Sequence, residues 1–383
     1  MDQDLARPSR TLVGRLLRDT RREALARDVL TLPSVQEAAR FIRRHDRRTV
    51  DEQMRLASVP APPFQEDERG RIWGALLAEA GAGPVQTDEV GNVWAPVGRP
   101  GDRPLVVSAH LDTVFPPDQD IRIRREGDRW VGPGVSDDAR GLAVLLAVVR
   151  ALIHGPGPER TPVVAVATVG EEGLGDLRGV RHLFAPGGAL AASRGFISLD
   201  GAGTRRVIAS GVGSRRFRVT IRGPGGHSWV DWGRVNPLHI LAEGVCEAER
   251  VPLPSGCTFN VGRMGGGTSI NAIPTGAWAE LEFRSEREDH LGTLESRLRR
   301  LLERLVRRRN ADAPVPTGEG ATLDVQRIGN RPAGRTDPDT PLVRAALAST
   351  RAVVGAAELA ASSTDANYPM HQGDGGNPLV HGV

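Results

Sequence analysis

Lysine does not occur anywhere in the 383 residues, so all 50 basic side chains are arginine. That excludes a Walker A phosphate loop, which needs a lysine on the phosphates, and any enzyme built on a lysine Schiff base. There are two cysteines, Cys246 and Cys257. They form neither a metal-type pair nor a disulfide framework, which points to a reducing, cytoplasmic compartment. Aromatic residues are only 4%, too few to give the arginines a stacking platform for nucleic acid. No apolar run reaches the 18 residues of a membrane span, and no apolar stretch of signal-peptide type opens the chain. A soluble, unexported protein with no membrane or nucleic-acid partner is expected. Internal repeats and low-complexity tracts are absent too; the 46 glycines and 28 prolines are dispersed as punctuation.

Apolar residues make up 39% and charged residues 25%, enough for a substantial core divided among two or three domains at ~100–200 residues each. The net charge of +3 is uneven, because residues 1–50 hold 12 arginines against 7 acids. Val35, Ala38, Ala39 and Phe41 recur there at helical spacing, so these arginines read as a solvated helix face. Residues 14–58 read as helices broken near Leu32-Pro33, and residues 66–80 as one further helix stopped by Gly81 and Gly83. Short apolar runs at 104–109, 163–169 and 196–199 then alternate with an almost all-round apolar helix at 141–153. Strand, helix and strand in that order predict an α/β fold, a mainly parallel sheet flanked by helices. Beyond residue 210 the pattern changes to half-exposed alternation at 217–221 and 278–283. A helix starts near Asn236-Pro237, and a second carries the stripe Leu291, Leu294, Leu298, Leu301, Leu302 and Leu305. These make a separate α+β unit, so the expected domains are 1–210, an insertion at 211–328, and a return at 329–383. Asn330 to Gly334 reads as the linker back, and residues 341–354 as a closing helix.

The chemistry gathers at strand ends. His110 and Asp112 are two residues apart at the end of a buried strand, so they emerge on one face where open α/β sheets bind ligands. Asp112 is placed to orient the imidazole of a metal-bound His110. Asp137 and Asp138 precede the apolar helix, where one can cap and the other can face a cation. Glu171 and Glu172 close the second strand, and Gly173 and Gly175 permit a turn that converges them. One suits a metal ligand and the other a general base. Asp200 ends the third strand. Carboxylates with one or two histidines suit zinc, cobalt or manganese more than magnesium.

With the motifs SAHLDTVFP, GPGVSDDARG, TVGEEGLGD, ISLDG, GPGGHSW, GGTSINAIP, EFRSE and SSTDAN in order between about residues 60 and 369, the chain resembles the dinuclear zinc metallopeptidases that include aminoacylase, glutamate carboxypeptidase and peptidase T. The resemblance implies a zinc-exopeptidase-like fold with an inserted α+β lid and dimerisation domain. It implies that His110 and Asp200 ligate one zinc, that Asp137 bridges two, and that Glu172 ligates the second. Glu171 becomes the base that deprotonates a metal-bridging water, with Asp112 orienting His110. His227 would reach the partner subunit's site in a homodimer and stabilise the oxyanion, while Asn271 and Arg284 would hold a substrate carboxylate. Cobalt or manganese could stand for zinc. The implied substrate is a small peptide or an N-acyl amino acid, and the branch is peptidase T-like.

The family pattern continues past STDAN to a final histidine that ligates the second metal. Here HQGDGGNPLVHGV stands in its place, with His371 and His381 as the only histidines. The expectation is a chain shortened relative to the family, with an incomplete second site that His381 does not fully restore. The alternative function is then a metal-binding, dimerising member without turnover.

Overall fold

The computed structural model describes residues 24–99, 101–155, 161–201, 203–314 and 320–374. It divides into two compact units, Met1–Ser210 with Arg335–Val383, and Gly211–Gly334. No helix among the described residues is long and apolar enough to cross a membrane.

The first unit opens with a helical stretch at 24–31, then α1 (Pro33–Arg44), α2 (Asp46–Ala57) and α3 (Asp67–Glu79). Pro33 begins α1, so the break expected at Leu32-Pro33 is a helix start, where the missing proline N–H costs nothing. Strands β1 (Gln86–Thr87), β2 (Val93–Val97) and β3 (Leu105–His110) follow, then a hairpin of β4 (Arg124–Glu126) and β5 (Arg129–Val131). Next come α4 (Ala139–His154), β6 (Val163–Thr168), α5 (Arg178–Phe184) and β7 (Gly195–Ser198). The sheet order is β1-β2-β6-β3-β7. It is parallel at its centre, where β3 pairs with both β6 and β7, and β1 and β2 add an antiparallel edge.

Strand alternation decides which helices cover which face. Val106, Val164 and Val166 point to α5, packing on Val180, Leu183 and Phe184. Ala109, Ala165 and Ala167 point the other way, under Leu56 of α2, Trp73 of α3 and Leu142 and Leu146 of α4. Both faces are covered, which is why these strands read as continuous apolar runs. On the second face Arg150 of α4 forks onto Glu52 of α2 through its two terminal nitrogens at 2.7 and 2.8 Å, a buried bidentate pair. Strand β8 (Arg206–Gly211) completes the first half of the unit.

The second unit holds β9 (Gly213–Arg222), β10 (Gly226–His227), α6 (Pro237–Glu249), β11 (Cys257–Gly266), β12 (Ala272–Ile273), β13 (Gly276–Ser285), α7 (Glu288–Ala311) and β14 (Thr322–Arg331). An antiparallel sheet in the order β11-β13-β9-β14 presents Phe217, Val219, Ile221, Ala279, Leu281 and Phe283 to the leucine stripe of α7 and to α6. Two of its four strands, β11 and β14, are not anticipated by the sequence pattern. Asn330 and Arg331, read as linker, instead finish β14, where Arg331 pairs with Ser214. After β15 (Gly334–Arg335), the chain adds α8 (Pro341–Val354), β16 (Glu358–Ser362) and α9 (Asn367–Asp374). In the first unit α8 packs Val343 on Val207 and Ala209 of β8.

Candidate metal centre

The carboxylates that follow β6 and β7, and Asp137 before α4, converge on His110. The ring is 2% exposed, with Nε2 at 2.9 Å from Asp137 Oδ1 and 3.9 Å from Asp200 Oδ1. Two donor groups form: His110, Asp137 and Asp200, and His110, Glu171 and Glu172, each with its ligand atoms within 4.8 Å of one another. Two donors ~2.1 Å from a single zinc stand at most ~4.2 Å apart, so the measured His110 separations suit one ion.

Asp138 sorts the adjacent acids. It is fully buried and caps α4, accepting the Gly141 N–H at 3.1 Å and the His110 N–H at 2.9 Å. Asp137, on the open side, is left to face the imidazole. Asp112 does something the sequence does not disclose. Its carboxylate accepts the backbone N–H groups of Glu171 at 3.0 Å and Glu172 at 2.6 Å. The His110 Nδ1 therefore lies closer to the Asp112 carbonyl oxygen, at 3.0 Å, than to its carboxylate, at 3.6 Å. Asp112 thus orients the two glutamates through their backbone and the imidazole through its own.

The glutamate loop is bent by glycine. Gly170 and Gly173 have φ of +69° and +53°, and a Cβ on Gly175 would lie 2.4 Å from the Gly170 Cα. Glu66 pins the loop from outside. Its carboxylate accepts the Gly170 N–H at 3.1 Å and forks with Arg178 at 2.7 and 2.8 Å.

Residues 106–374 match the family described as Peptidase family M20/M25/M40. The chain belongs to this family. The resemblance drawn from its motifs is borne out, and so is the α/β fold with an inserted unit. It is a metallopeptidase or amidohydrolase of the M20/M25/M40 kind, and metal-dependent hydrolysis is its chemistry. Solved structures share the fold. The aminopeptidase PepT of Bacillus cereus is 21% identical, over 88% of this chain and 89% of that one, with a TM-score of 0.65. A tripeptidase of Staphylococcus aureus is 19% identical over 88% and 90%, with a TM-score of 0.67. The dipeptidase Dug1p of Saccharomyces cerevisiae is 13% identical over 86% of each chain, also at 0.67. None of the curated proteins compared with the chain matches it.

The electrostatics of this M20/M25/M40 site fit a cation. Burial, and then Glu171 beside it, push Glu172 up to about 7. Burial, and then the Glu171 charge, push Asp365 up to about 8. Burial also raises Asp138 well above the carboxylate range. Burial alone would lower His110, but the carboxylates of Asp112, Asp137, Asp138 and Asp200 outweigh it and raise the ring well above its usual value. One imidazole cannot neutralise so many acids, and a bound cation would compensate them. Asp365 is the site residue that the sequence reading passed over, although it lies in the quoted motif SSTDAN. It is 1% exposed, takes the Thr168 hydroxyl on Oδ2, and buries Oδ1 without a partner.

His227, Asn271 and Arg284 belong to the second unit. His227 pairs with Ala272 across β10 and β12, and Ser228 donates its N–H to the Asn271 carbonyl at 3.0 Å, so these two are neighbours. Arg284 sits toward the opposite end of β13, where its Nε–H donates to Glu282 at 2.9 Å. Eight residues of strand separate Gly276 from Arg284, ~26 Å at 3.3 Å per residue. One copy of the unit therefore does not bring all three together. His371 lies in α9, and His381 lies outside the described residues.

Proposed function

We propose that the chain hydrolyses an amide bond in a small peptide or an N-acyl amino acid, with zinc as its metal and cobalt or manganese as substitutes. His110, Asp137 and Asp200 would hold one ion, and Asp137 with Glu172 a second. Ions bound there supply Lewis-acid polarisation of the carbonyl and an acidified water near neutral pH. Glu171 receives the proton of the attacking water and returns it to the leaving nitrogen. Asp112, holding both glutamate N–H groups, keeps Glu171 and Glu172 in distinct positions. His227 accepts the Trp229 N–H on Nδ1 at 3.2 Å, which leaves the neutral ring its proton on Nε2. It is thereby set as a donor to an oxyanion rather than as a base. Asn271 and Arg284 bind the substrate carboxylate, and the separation of Arg284 from His227 favours a homodimer in which two copies furnish one site.

The observation that carries this reading is the convergence of four carboxylates, Asp137, Glu171, Glu172 and Asp200, on His110. The test separates the two glutamates. Zinc-loaded protein is assayed on dipeptides, tripeptides and N-acetyl amino acids, with bound metal counted per chain. Glu171→Gln is expected to keep its metal and lose ~10²–10⁴ in kcat; Glu172→Gln is expected to lose metal. A Glu171→Gln protein with full activity, or chelated protein as active as loaded protein, would overturn the proposal.

A further inference from the structure

Three large apolar side chains stand in solvent on the turn that carries His227. Trp229 is 85% exposed, Val230 77% and Trp232 78%. Ile270, next to Asn271 at the strand paired with this turn, is fully exposed as well. Single apolar residues on a surface are ordinary, whereas several on one turn and its paired strand mark a binding surface.

The turn itself is built rigidly. The His227 N–H donates to Asp231 Oδ2 at 2.7 Å, and the Asp231 N–H donates back to the His227 carbonyl at 2.9 Å. Asp231 is further held by Arg234 at 2.7 Å. Gly226, at φ +147°, comes so close that a Cβ there would stand 2.6 Å from the Asp231 carboxylate. The Trp229 N–H on His227 Nδ1 completes these internal bonds, and Trp229, Val230 and Trp232 are left exposed beside the imidazole. Trp229 and His227 are two residues apart, their Cα atoms within ~7 Å. An imidazole at the scissile carbonyl therefore brings the indole beside the same substrate.

We infer that Trp229 and Trp232, with Ile270 alongside, form an apolar wall that selects substrates carrying a large aliphatic or aromatic group next to the scissile amide. The inference rests on the role proposed above for His227. The charged groups of the turn, Asp231 and Arg234, are paired with each other, so the wall offers no counter-charge to an acidic or basic substrate group.

The experiment compares zinc-loaded wild type, Trp229→Ala, Trp232→Ala and Trp229→Phe on acetylglycine, benzoylglycine and acetylphenylalanine. Wild type is expected to favour the bulky compounds. The alanine variants should raise KM for them about ten-fold, with acetylglycine little changed, and phenylalanine should restore most of the loss. Binding is read separately by titrating benzoylglycine onto zinc-loaded Glu171→Gln protein. Its tryptophan emission should move to shorter wavelength, and this shift should vanish when Trp229 and Trp232 are replaced. Hydrolysis without discrimination by size overturns the wall and leaves the proposed function standing. An emission shift without hydrolysis does the reverse. Equal losses on all three substrates, accompanied by a change in sedimentation, would show that the tryptophans pack copies of the chain together and would also overturn the wall.

Discussion

Asp365 shows how burial can hold a carboxyl in its neutral form. It is buried, its Oδ2 accepts the Thr168 hydroxyl, and burial followed by the Glu171 charge raises it to about 8. A carboxyl whose folded value lies above its unfolded value binds its proton more tightly in the folded state. Its contribution to the stability of metal-free protein then falls as pH rises from ~4 to ~8, by up to ~1.4 kcal/mol per unit. Asparagine keeps the bond to Thr168 and does not titrate. Asp365→Asn is therefore expected to melt increasingly above the wild type as pH is raised through that window in chelator, with a constant gap beyond it. A gap independent of pH would refute the reading. The contrast with His110, Glu171 and Asp200 is instructive. Those residues were legible because each closes a buried strand and the fold class alone says where strand ends meet. Asp365 reaches Thr168 across 197 residues of sequence, and no local pattern announces such a contact.

Among the elements, the ones buried on both faces were the readable ones. The strands at 105–110 and 163–168 and the helix at 139–154 are predominantly apolar because neighbouring helices and strands cover most of their surface. Strands β11 and β14 escaped detection because they are the edges of their sheet, one ending in glycines and both broken in register, at Val261/Arg263 and Arg327/Gly329. Edges and bulges dilute the period-two signal. The glutamate loop was half readable. Its glycines signalled a turn, but the clamp that holds it, Glu66 with Arg178, joins segments 112 residues apart. Glu66 is 2% exposed, so its removal strands a partly buried guanidinium and frees the Gly170 N–H. Glu66→Ala is expected to cost about 3–5 kcal/mol in denaturant unfolding and to weaken zinc binding measured by competition with a chelator. Unchanged zinc affinity in a folded Glu66→Ala protein would show that the clamp serves stability alone.

At the scale of the whole molecule, the chain divides its tasks between two cores. Both candidate donor groups among the described residues, His110 with Asp137 and Asp200 and His110 with Glu171 and Glu172, lie in the unit formed by Met1–Ser210 and Arg335–Val383. The unit Gly211–Gly334 has its own core, in which the α7 leucines and α6 cover one face of a four-stranded sheet. It also closes its charges internally, Glu295 meeting Arg215, Arg299 and Arg327 at 2.6 to 3.2 Å. A unit of that size with a separate core, and no candidate donor group among its described residues, should fold alone and ignore zinc. Calorimetry of the full chain is therefore expected to resolve two transitions. A free zinc concentration one hundred times Kd stabilises only the state that binds it, by ~2.7 kcal/mol, which raises the melting of a unit this large by ~5–10 °C. The other transition should stay where it is in chelator, and a fragment of residues 211–334 should reproduce it. A fragment that melts without cooperativity, or one that zinc stabilises as much as the whole chain, would show that the insertion depends on the metal unit for its fold.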